Sequence, residues 1–178
     1  MAVVVDRYPR ALVALHWLTL LLLAAAYACI ELRGFFPRGS SVREGLKDWH
    51  YLLGMTVFAL VWVRAALRLR GPLPPPMLLG WQQWMAGVMH LLLYLFMIAM
   101  PLLGWALLSA EGKPPHWGPV ALPALVESDA NLAERVESWH ETIGVVGYWL
   151  IGLHAAAALL HHYVLRDGTL RRMRPGRG

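Results

Sequence analysis

The chain of 178 residues contains one cysteine, Cys29, so it can hold no internal disulfide framework. Cys29 lies in an apolar run, where a free thiol behaves as a small, inert hydrophobe. Charge is scarce too: 15% of residues are Asp, Glu, Lys or Arg, against roughly 25% in soluble domains. There is no internal repeat and no low-complexity tract, which excludes a solenoid or an array of small modules. The first apolar run is not expected to be a cleavable leader. The first apolar run, of ~20 residues, outlasts the usual 7–15-residue signal core, and no A-x-A-like site follows it. Its interior carries His16 and Trp17, and we treat it as a retained helix.

What fills the chain is apolar. Hydrophobic residues make up 58% of it, and nine tryptophans suit a protein with two water–lipid boundaries. Four apolar spans stand out: Ala11–Ile30, Trp49–Val63 with an extension towards Arg70, about Leu79–Ala110, and Thr142–Leu165. A helix needs ~20 residues to cross the ~30 Å hydrocarbon layer, and each span supplies that. The expected fold is therefore all-α: a single domain over residues 1–178, an integral membrane four-helix bundle with helices at about 11–30, 49–70, 79–110 and 139–165. The second span needs Arg64 and Arg68 to snorkel towards the headgroups.

The formal charge of +5 is a statement about topology. Four crossings put the N-terminus, the 64–80 connection and the C-terminus on one side. That side carries Arg7, Arg10, Arg64, Arg68, Arg70, Arg166, Arg171, Arg172, Arg174 and Arg177. The opposite side has six Lys or Arg and nine of the eleven acidic residues. The positive-inside rule then places both termini in the cytoplasm. Nucleic acid is not an expected partner; a lipid bilayer is.

The connections differ in kind. Residues 31–48, "ELRGFFPRGSSVREGLKD", form a charged outer loop, and "GPLPPPMLLG" (71–80) a stiff inner linker, since Pro fixes φ. The longest loop, 111–138, is also outer, and its "SDANLAERVES" part has the spacing of a short surface helix.

Histidine at membrane depth is rare and usually functional. His140 and His154 are fourteen residues apart, about 21 Å along a helix and within ~40° of one face. That spacing suits two redox centres at two depths; a hydrolytic metal site would need its ligands in one cluster. His50 opens the second span at the outer side and is level with His140. His16 lies near the depth of His154. Two bis-histidine pairs are the arrangement of a di-haem cytochrome b. Gly54 and Gly144 each follow a histidine by four residues, leaving open space beside a porphyrin. Spacing leaves the inner pair open, because His161 is about as deep as His16, and His90 also lies towards the inside.

"LHWL" (15–18), "ELRGFFPRG" (31–39), "SWHET" (138–142) and "GLHAAAALLHHY" (152–163) closely resemble the bacterial cytochrome b561 family, over about Arg7 to Met173. The resemblance implies one haem b between His16 and His154, a second between His50 and His140, and a ubiquinone site at His90 and His161. It further implies residence in the bacterial inner membrane. Electrons are expected to pass from periplasmic superoxide, through both haems, to ubiquinone, with no obligatory protein partner. Arg33, Arg38, Arg43 and Lys47 are the candidates for steering the superoxide anion inwards. The acidic stretch Glu127–Glu137 works against a uniformly positive outer face. Two other functions compete: an electron carrier docked to a dehydrogenase or hydrogenase, and a histidine-rich metal-handling membrane protein.

Overall fold

Each apolar span folds as one long helix in this computed structural model, which describes residues 7–71, 73–75, 80–113 and 115–174. The helices are α1 (Arg10–Arg33), α2 (Ser41–Arg70), α3 (Trp81–Ala110) and α4 (Ala130–Tyr163). All four are long and apolar enough to span a bilayer. Large side chains such as Leu21, Leu91, Leu95 and Trp149 remain exposed, as expected where lipid covers the outward faces.

Two helices start earlier than the sequence suggests. α2 begins at Ser41, eight residues before 49, because Ser40 caps it: its hydroxyl accepts the Arg43 N–H at 3.3 Å. Eight of the eighteen residues of the expected first outer loop are thus the first two turns of α2, and its first three close α1. α4 begins at Ala130 because the Asp129 carboxylate accepts from the N–H groups of Asn131 (2.8 Å) and Leu132 (3.1 Å). The surface helix expected at 128–138 is therefore continuous with the fourth span, giving 34 residues, or about 51 Å. It ends at Tyr163 and not at 165. The expected start of the third span at 79 lies outside the described residues. α3 runs unbroken through Pro101.

The bundle consists of two helical hairpins. α1 packs along α2, α3 packs along α4, and α2 meets α3, while α1 makes no comparable packing with α4. Val57, Val61, Phe96 and Met97 form the buried centre, between α2 and α3. Gly147 brings α4 close to that centre: a Cβ there would collide with Phe96 and with the Tyr27 hydroxyl. Tyr27 in turn donates to the Gly144 carbonyl at 2.7 Å, tying α1 to α4.

The outer loop between α3 and α4 is folded back over the bundle. It contains a two-stranded hairpin absent from the all-α expectation, β1 (His116–Trp117) and β2 (Val120–Ala121), whose turn is made by Gly118 at φ +60° followed by Pro119. Trp117 Nε1 donates to Thr56 Oγ1 on α2 (3.3 Å), and Trp105 Nε1 donates to the Pro123 carbonyl (2.8 Å). At the opposite end, residues 167–173 cross beneath the helices. Trp17 Nε1 donates to the Met173 carbonyl at 2.7 Å, and Arg172 donates to the Pro75 carbonyl. These contacts place each group of histidines between a strapped outer end and a tied inner end.

Candidate redox site

The histidines converge at two levels. At the outer level, His50 on α2 and His140 on α4 face each other with ring centroids 6.1 Å apart and planes at 76°. At the inner level, His16 on α1 and His154 on α4 are also 6.1 Å apart, at 68°. His90 on α3 stands 5.6 Å from His154 on another side. Each pair thus joins one hairpin to the other. Two imidazoles on opposite sides of one metal, with metal–nitrogen bonds of ~2 Å, have centroids roughly 6 Å apart. Both pairs meet that condition.

The outer level has the features of a cofactor cradle. A cavity of about 460 Å³ borders His50, His140, Gly54, Gly104 and Gly144, within the ~300–1,000 Å³ usual for cofactor sites. A Cβ on Gly54 would meet nothing within 4 Å, whereas one on Gly104 would touch His140 Cε1 at 3.4 Å. His50 Nδ1 lies 2.9 Å from the Ala26 carbonyl. A carbonyl can only accept, so Nδ1 carries the hydrogen and Nε2 keeps its lone pair for a metal. The buried His140 Nδ1 has no hydrogen-bond partner of its own. These residues fit a haem.

The candidate steering residues do not act as one group. Arg33 and Lys47 line the outer cavity, with Lys47 Nζ 5.9 Å from the Tyr51 ring centroid. Arg38 is exposed in the loop. Arg43 is engaged elsewhere, donating to the carbonyls of Arg33 (2.9 Å) and Phe36 (3.0 Å) at the end of α1. Glu31, Glu111, Glu137 and Glu141 border the same cavity. Its mouth is therefore mixed in sign, with carboxylates outnumbering cations.

His161 is separate from the three inner imidazoles. Its Nδ1 meets Asp167 Oδ2 at 2.5 Å, the only ion-pair geometry among the described residues. Burial opposes ionisation of Asp167, but hydrogen bonds from Thr169 and His161 outweigh it and hold the carboxyl below its usual value. The Thr169 N–H donates to Asp167 Oδ1 at 2.9 Å. A His16–His161 pair, which spacing permitted, does not form. Asp167 escaped the sequence reading, although it is the one carboxylate in the Arg-rich stretch that follows His161. Among the described residues, no three His, Cys, Asp or Glu side chains converge as an ion-handling site would require.

A profile described as prokaryotic cytochrome b561 matches residues 7–176. The chain belongs to that family. It is 39% identical over 176 residues to "Cytochrome b561 homolog 1" of Escherichia coli (strain K12), covering 97% of this chain and 99% of the relative. It is 38% identical over 175 residues to "Probable superoxide oxidase CybB" of Yersinia pestis, covering 95% and 96%. "Cytochrome b561 homolog 2" of Escherichia coli (strain K12) is 26% identical over 175 residues, covering 94% and 91%. The protein is a multi-pass electron-transfer protein of the bacterial inner membrane, and family membership implies that it binds haem b.

Proposed function

We propose that this protein is a superoxide:ubiquinone oxidoreductase with two haem b groups, one at each histidine pair and with both termini in the cytoplasm. The observation that carries the reading is the pair of 6.1 Å bis-histidine separations, one at each depth of the same bundle. His50 and His140 would hold the outer haem, and His16 and His154 the inner one. Bound haem would supply a one-electron iron couple at each level.

The stoichiometry follows from the chemistry of the substrates. Two superoxide anions each give up one electron and leave as dioxygen. One ubiquinone takes both electrons and two protons to become the quinol. Superoxide needs only access to the outer level, which Arg33 and Lys47 at the cavity edge provide with local positive charge. Quinone needs hydrogen-bond donors and a proton supply at the inner level. His90 offers an imidazole beside His154. His161, in contact with Asp167, offers a second imidazole with a carboxylate partner for proton exchange.

The carboxylates around the outer cavity favour a second reading, in which a positively charged donor protein docks there and supplies the electrons. Purified protein mixed with enzymatically generated superoxide, and with no other protein beyond the generating enzyme, separates the two. Haem reduction under those conditions supports superoxide oxidation; haem that stays oxidised until a dehydrogenase is added supports the docked carrier.

A further inference from the structure

Arg64 was expected to snorkel out to the headgroups, and it does not. It lies on α2, fourteen residues after His50, the same separation as His140 and His154 on α4. That puts it about 21 Å along the axis from His50, level with the inner histidines. Its half-buried guanidinium turns into the bundle, with Cζ 5.6 Å from the centroid of the Tyr94 ring on α3. The titratable groups facing it are Tyr94, Arg68 on its own helix, and Tyr8 ahead of α1. None is a carboxylate, and the described residues form no ion pair with it.

A cation at this depth is costly to leave without a counter-ion, the described residues provide none, and an aromatic face offsets only ~0.5–2 kcal/mol of that cost. A second polar group in the same compartment is also unsatisfied. Tyr94 Oη is buried with no hydrogen-bond partner. Tyr94 follows His90 by four residues, so the two share one face of α3. A cation with no anion among the described residues and a hydroxyl with no acceptor there both call for an oxyanion. Its location between α2 and α3, level with the inner histidines, favours a carboxylate of the haem over a lipid phosphate from outside the bundle.

We infer that Arg64 and Tyr94 form the carboxylate site of the inner haem, the guanidinium pairing with a propionate and the Tyr94 hydroxyl donating to it. This rests on the di-haem reading above. Arg64 also acts at a distance there: a fixed positive charge favours the reduced, less positive iron and raises the inner potential.

The test is an optical redox titration in phosphatidylcholine nanodiscs. Wild-type protein should give two one-electron waves. Arg64→Gln should lower one wave, by about tenfold in the Fe(III)/Fe(II) equilibrium or ~59 mV, and leave the other in place. Arg64→Lys should restore most of the shift, and Tyr94→Phe should move the same wave in the same direction by less. The wave that moves should be the one missing from His154→Ala. Selective loss of that haem from Arg64→Gln would also support the assignment; if that variant bound no haem, Tyr94→Phe would decide. Two waves unchanged in both Arg64→Gln and Tyr94→Phe, or movement of the outer wave alone, would overturn it. So would unmoved waves combined with loss, in Arg64→Gln, of extra thermal stability conferred by phosphatidylglycerol, since the oxyanion would then be a lipid phosphate. A wild-type protein with fewer than two haems would refute the di-haem reading itself.

Discussion

His50 Nδ1 lies 2.9 Å from the carbonyl oxygen of Ala26, so the outer histidine of α2 is oriented by α1 before any cofactor arrives. The other outer histidine, His140, is packed against Gly104 of α3. The outer and inner levels thus depend on different residues and should fail independently. Replacing His50 or His140 with Ala should remove one haem and leave a low-spin spectrum from the other. Replacing His16 or His154 should do the converse, and His90→Ala should keep both. Haem-to-protein stoichiometry checks each case. Loss of both haems from a folded single variant would contradict independent pairing.

The glycines give opposite expectations for two superficially similar changes. Gly54 faces open space, so Gly54→Leu should leave the helices packed while the added side chain fills the cavity and expels the outer haem. Gly147 has no such room. Gly147→Ala should destabilise the fold by about 1–3 kcal/mol, because Phe96 and Tyr27 are core and tie residues that cannot both move aside. Thermal unfolding together with haem content separates the two effects.

The outer cations should also divide. Neutralising Arg33 and Lys47 together should slow haem reduction by superoxide and flatten its dependence on ionic strength, since steering weakens as the Debye length shortens to ~10 Å at 0.1 M salt. Arg38→Gln should change neither. Arg43→Ala should act on stability, by on the order of 1 kcal/mol, through the two carbonyl bonds at the end of α1. Stopped-flow rates across a salt series, with melting curves for Arg43→Ala, test the division.

Much of this was legible in the sequence, for physical reasons that are easy to name. Lipid forces continuous apolar helices, so the four spans, their order and the two levels of histidine follow from run length and a rise of ~1.5 Å per residue. The starts of α2 and α4 are not legible from apolar run length, because Ser40 and Asp129 cap helices whose first turns are charged. Spacing could not separate His154 from His161; the descent of α4 past α1 sets His154 against His16 and leaves His161 to Asp167. A one-dimensional reading gives an intramembrane arginine such as Arg64 only the headgroups to reach for, and the Tyr94 ring becomes visible as a partner only once α2 and α3 are packed.

At the inner end, His161→Ala and Asp167→Asn should both leave haem spectra and superoxide-driven haem reduction intact, while quinol formation falls and the haems stay reduced longer. The double variant should cost little more than the worse single one, because the pair acts as a unit. The acid response of the same contact has a definite sign. The Asp167 carboxyl is held below its usual 3.8, so its contribution to docking the C-terminal segment is present above that value and lost as pH falls through the depressed one. Amide protection of residues 167–173, corrected for intrinsic exchange, should therefore be flat from neutral pH down to about 4 and collapse only below the usual aspartate range. A collapse between pH 7 and 5 would mean that a group other than the Asp167 carboxyl governs the contact.

Electron transfer from superoxide to quinone with no protein partner is open to a direct measurement. Purified protein reconstituted with ubiquinone is exposed to a steady enzymatic flux of superoxide, while haem absorbance and quinol are recorded together. The account predicts reduction of two haems per chain, then one quinol for every two superoxide anions oxidised, with dioxygen released. Haems that stay oxidised under that flux, or quinol that forms only when a dehydrogenase is added, would contradict it.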